Sequence, residues 1–205
     1  MNRTALTLAA AALMFTGSAI AQQSQPAQPG PAAQTTPNQP APTVNDRREN
    51  QQDRIANGIG SGQLTAGETK NLEGREANLN REIRDDRQGD DGKLTSQERQ
   101  QINHQQNNLS RSIYSDKHNA ATAHYGNNEV GARRENQQDR IANGIRNGSM
   151  TAGQAARDEN REQGINQQIH ADRQGNGGRL TGQERAQVNG EQNRMSGRIY
   201  SQKHR

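Results

Sequence analysis

The chain has no cysteine and no tryptophan, and only one phenylalanine and three tyrosines in 205 residues. Without cysteine there can be no disulfide framework, no thiolate metal site and no acylated cysteine beside a cleavage site. Any fold must be held by non-covalent contacts. Proline is confined as well: all six prolines lie between Pro26 and Pro42. From Val44 onward the chain can therefore run in uninterrupted helices. The stretch that holds the prolines, 22–43, is rich in Pro, Gln and Ala and is expected to be a disordered, extended tether.

Long apolar runs are also missing. The longest, Ala5 to Phe15, is too short to span a bilayer, so no transmembrane segment is expected. With Arg3 before it and Ala19-Ile20-Ala21 after it, this run reads as a secretory signal peptide over 1–21. The chain is thus expected to be exported, periplasmic or secreted. Hydrophobic residues make up 27% of the sequence, which implies a lean core and places the chain near the disordered range.

No sign of charge dominates. Lys and Arg total 26 against 22 Asp and Glu, and the two signs are interleaved. A nucleic-acid partner is not expected, because there is no basic stripe and only the tyrosines could stack on bases. An envelope component or an anionic polymer is the expected partner, with self-association a further route to stability.

What the chain has is repetition. The stretch RRENQQDRIANGI occurs verbatim at 47–59 and at 133–145, a shift of 86 positions that continues without a gap to His118 and His204. Sparse apolar positions survive the duplication: Ile55/Ile141, Ile59/Ile145, Leu64/Met150, Leu79/Ile165, Ile83/Ile169, Leu94/Leu180, Ile102/Val188, Leu109/Met195 and Ile113/Ile199. A disordered polar tract has no reason to keep such a pattern, so these are the expected core. Leu72, which meets Asp158, breaks it.

A shorter signature, G-x-[LM]-T-x-x-[EQ], appears four times, ahead of helices expected near Thr65, Thr95, Thr151 and Thr181. Threonine at the N-cap with Glu or Gln three residues on is a capping box, and the glycine lets the chain turn in. Apolar residues then follow at helical spacing, as in Leu72, Leu79 and Ile83. Each unit therefore reads as three helices, about 46–59, 66–86 and 96–117 in the first. Asn57-Gly58 and Gly60 are the expected stop of the first helix. The predicted architecture is all-α: tether 22–43, helical unit 44–118, linker 119–131 and helical unit 132–205. With Gly164, Gly182, Gly190 and Gly197 inside its helices, the second unit is expected to be the weaker.

Candidate chemistry is thin. The signature resembles the second half of an EF-hand calcium loop, which would nominate Asp86, Asp91 and Glu98, and Asp172 and Glu184, as cation ligands. Arg87 and Arg173 stand where the first ligand belongs, and the capping box alone explains the signature. His118 and His204, the two histidines at equivalent sites, fit helix C-termini better than a metal site. No nucleophile–base constellation is visible, and the apolar mass is too small to wall off a pocket that shifts a pKa. No enzyme is expected and no cofactor beyond calcium.

The duplicated thirteen-mer and L-T-x-x-E blocks behind a signal peptide are similar to an uncharacterised group of exported proteobacterial proteins. That resemblance covers about 46–205 and implies no activity. The sequence reads as a non-enzymatic helical repeat protein, a polar binding or structural module of the cell envelope, with divalent-cation binding as the alternative. Core packing needs only the isoleucines of the thirteen-mer. Its expected contact surface is therefore the remaining face, Arg47, Arg48, Asn50, Gln51 and Arg54, with Arg133, Arg134, Asn136, Gln137 and Arg140 in the second copy.

Overall fold

The structure is a computed structural model that describes residues 41–204; the expected signal peptide and the tether up to residue 40 lie outside the described residues. The described residues are all-helical: α1 (Val44–Gly60), α2 (Ala66–Gly89), α3 (Ser96–Lys117), α4 (Glu129–Arg146), α5 (Ala152–Gly175) and α6 (Gly182–Lys203). Helices α1–α3 are the first repeat and α4–α6 the second. Among the described residues no helix is long and apolar enough to cross a membrane.

Local chemistry sets the helix starts. Thr65, Thr95, Thr151 and Thr181 each cap a helix with a complete capping box, closed by Glu68, Glu98, Gln154 and Glu184. The signature glycines Gly62, Gly92, Gly148 and Gly178 all sit at positive φ, where a side chain would be strained. Helix α1 departs from the sequence reading. Thr43 is its cap and Asp46 closes a further capping box, so the helix begins at Val44. Gly58 does not stop it. Its missing side chain leaves room for Leu64, whose Cδ1 would lie 2.6 Å from a Cβ there, and Gly144 makes the same room for Met150. Helix α2 runs past the expected 86 to Gly89, which places Arg87 inside the helix instead of in the turn. Helix α4 starts at Glu129 under an Asn128 cap, so the linker is shorter than the sequence suggests.

Each repeat has a small outer cluster, Val44, Leu79, Ile83 and Ile102 with Leu94, or Val130, Ile165, Ile169 and Val188 with Leu180. The larger cluster belongs to both repeats. Ile55, Ile59, Leu64 and Leu72 pack there with Ile141, Ile145, Met150 and Met195. At its heart α2 lies against α5. Gly67 faces Gln163 and Ala77 faces Gly153, so the two helices run antiparallel. Their crossing is centred on Leu72 and Asp158, midway along each pair of positions. An approximate twofold axis passes there and relates the first repeat to the second, each residue to the one 86 positions on. The stability that a lean core denies one repeat comes from the apolar face of the other.

Candidate functional site

The thirteen-mer turns out to be a connector. Arg47 donates to Asn107 at 3.2 Å, Gln51 to the Gln106 carbonyl at 2.7 Å and to Ser110 at 3.0 Å, and Arg54 to the Ser110 carbonyl at 3.1 Å. On its other side Gln52 donates to Glu73 at 3.2 Å, and Arg48 lies 3.7 Å from Glu76. The second copy repeats each link: Arg133 to Asn193, Gln137 to the Gln192 carbonyl and Ser196, Arg140 to the Ser196 carbonyl, Gln138 to Glu159, and Arg134 to Glu162. Gln51 and Gln137 are buried, which corrects their placement on an exposed contact face. Of the expected surface, only Asn50 and Asn136 are fully exposed. Verbatim identity has a structural reason here, because a changed Gln or Arg would orphan a buried polar group on α2 or α3.

The links from Arg48, Gln52, Arg134 and Gln138 end on carboxylates that were not legible in the sequence. Glu73, Glu76, Asp158, Glu159 and Glu162 are all buried on α2 and α5. Burial pushes the Glu73 carboxyl up to about 8 and that of Glu76 to about 7. Burial also drives Glu159 well above the usual carboxylate range, helped by the nearby Glu162 and Glu73. The apolar mass, small as it is, thus buries acids deeply enough to shift their pKa values. Acids at i and i+3 with a third and fourth 86 positions away look solvent-exposed in a sequence, and only the pairing of the two repeats buries them.

Above the acids lie two clefts related by the twofold axis. One is filled by the linker. Ala123 donates its backbone N–H to the Gly62 carbonyl at 2.9 Å, and Asn119 donates to Glu68 at 2.7 Å. The Tyr125 ring lies over the Arg134 guanidinium, 5.3 Å from centroid to carbon. Burial and the neighbouring Glu159 push the Tyr125 phenol up. Covered in this way, the Arg134 side chain is 11% exposed and its Nε sits 3.0 Å from Glu162.

The twin cleft is open, about 790 Å³ in volume, and is bounded by α1, α2 and the α4–α5 turn. Arg48 stands in it with its side chain 37% exposed. Beneath it neither carboxylate oxygen of the buried Glu76 has a hydrogen-bond partner. Arg81, Arg84 and Arg146 also line this cleft, where the filled one has Gln167, His170 and Gly60 at the corresponding positions. Among the described residues none of these three arginines has a carboxylate within ion-pair distance. With Glu49 and Asp53 the lining charge is four minus two, or +2. The same positions beside the linker give one Arg against Glu135 and Asp139, or −1.

The nominated cation ligands lie elsewhere. Glu98 and Glu184 each accept the N–H of their own capping threonine at 2.8 Å. Asp91 sits at positive φ in the exposed α2–α3 turn, Asp86 lies on the last turns of α2 and Asp172 on those of α5. Among the described residues no three acids or histidines are grouped to hold a metal ion. His118 and His204 are helix C-caps, each stacked on the tyrosine four residues before it at 4.1 Å between centroids. Compared with family models, curated proteins and solved structures, the chain finds no match.

Proposed function

We propose that this chain is a non-enzymatic binding protein of the cell envelope, exported to the periplasm or beyond, whose open cleft takes an anionic ligand. The observation that carries the reading is the set Arg81, Arg84 and Arg146, three cations without a carboxylate partner gathered around one cleft. Arginine presents five fixed donors that match carboxylate or phosphate oxygens in pairs. A cluster held by packed helices loses little freedom when it engages a ligand. The signal-like run over 1–21 supports the export part of the reading.

Labelled polyglutamate, titrated into the mature chain at low and at physiological salt, tests it. Binding should weaken as salt rises. The triple variant Arg81→Gln, Arg84→His, Arg146→Gly, which copies the filled cleft, should bind roughly 3- to 150-fold more weakly, since exposed pairs contribute about 0.2–1 kcal/mol each. Equal binding by the two proteins would sink the proposal.

A further inference from the structure

We infer that the open cleft is a peptide-binding site, and that its ligand is an extended acidic segment carrying an aromatic side chain that stacks on Arg48. The inference rests on the anionic-ligand reading above and adds what the ligand is. Its ground is internal, because the molecule contains the same cleft with a peptide already in it. The walls on α1 and α4 come from the verbatim stretch, so Arg48, Glu49, Gln52 and Asp53 stand as Arg134, Glu135, Gln138 and Asp139 do. In the filled cleft an extended segment pairs its backbone with the Gly62 carbonyl and lays Tyr125 on Arg134. The open cleft offers the equivalent Gly148 carbonyl and Arg48. The two acid–arginine pairs differ: Arg48 stands 3.7 Å from Glu76 where Arg134 lies 3.0 Å from Glu162, and both oxygens of the fully buried Glu76 lack a hydrogen-bond partner, against one of Glu162. An aromatic ring over Arg48 would exclude water and draw the guanidinium onto Glu76, as Tyr125 does for Arg134.

Two differences between the clefts define the ligand further. Arg81, Arg84 and Arg146 favour acidic side chains flanking the aromatic residue, where the linker needs none. Asn45 replaces Gly131, the residue past which the linker backbone turns into α4, so close that any Cβ would overlap the Tyr125 carbonyl. A bound peptide must therefore leave the cleft at its aromatic residue, as a separate chain would.

The test uses the mature chain and synthetic peptides based on residues 119–126, measured by calorimetry or anisotropy. The plain peptide should bind saturably. Replacing its Asn119 and Thr122 by Glu should tighten binding several-fold, and Tyr125→Ala in the peptide should weaken it about tenfold. In the protein, Arg48→Ala should abolish the preference for tyrosine, and Asn45→Gly should strengthen binding of the plain peptide. In case Arg48→Ala unfolds, a peptide with a photoreactive group in place of the tyrosine should crosslink to 45–53, 77–84 or 146–153. Crosslinks elsewhere, or equal binding of the Tyr and Ala peptides, overturn the inference. Polyglutamate binding that is salt-dependent but indifferent to an aromatic residue would overturn it while leaving the anionic-ligand reading in place. Failure of both probes would remove both.

Discussion

At the scale of single residues, small and polar side chains carry more of this structure than its few apolar ones suggest. Gly58 and Gly144 let Leu64 and Met150 seat against the backbone of α1 and α4. Gly58→Ala should cost about 1–3 kcal/mol in a denaturant titration, as overpacking does. Gly74→Ala, where nothing lies within 4 Å, should stabilise by about 0.5–1 kcal/mol. If both changes behave alike, the packing account of Gly58 fails. The buried acids set a pH dependence. Glu73 keeps its proton to about pH 8 when folded but gives it up near 4.5 when unfolded. Between those values the folded state holds more protons, so stability is highest below the unfolded value and falls as pH rises toward 8. Glu73→Gln should flatten that slope and raise stability at pH 8 by at least about 1 kcal/mol. Urea unfolding at pH 5 and pH 8 measures both effects, and a slope unchanged by the substitution would refute the assignment.

At the scale of helices, the sequence was legible wherever the determining contacts are local. A capping box lies within four residues, so all four helix starts at Thr65, Thr95, Thr151 and Thr181 were readable, and so was the glycine that precedes each. The Thr43 box was missed because Asp46 looks like a helix start in its own right. The stop at Gly60 was legible in Asn57-Gly58 and Gly60, but the room that Gly58 makes for Leu64, six residues later, was not. The inward bonds of Gln51, Arg48 and Gln52 were not legible at all, since their partners lie 21 to 59 positions away. A polar stripe then looks like a surface. The caps also bear on calcium. Because Glu98 and Glu184 hold their own helix starts, millimolar calcium should add no helix by circular dichroism; a clear gain would revive the EF-hand resemblance. Thr95→Ala should cost about 1 kcal/mol, read from the shift in unfolding midpoint.

At the scale of the whole chain, the two repeats are halves of one body. The axis runs past Leu72 and Asp158, the one position where an expected core residue meets an acid. Pairing two copies of the first repeat would set Leu72 against Leu72, whereas two copies of the second would bury Asp158 against Asp158, a like-charge contact. Expressed apart, residues 41–126 should therefore form a helical dimer in sedimentation, and 127–204 should not until Asp158→Leu is introduced. Monomeric, folded fragments would contradict a shared core. Symmetry and connection are in conflict here. Two similar halves make two clefts, but the covalent connection between them crosses one. The segment that makes this a single chain therefore also sets how many ligands it can take. A calorimetric titration should reach saturation at one ligand per chain.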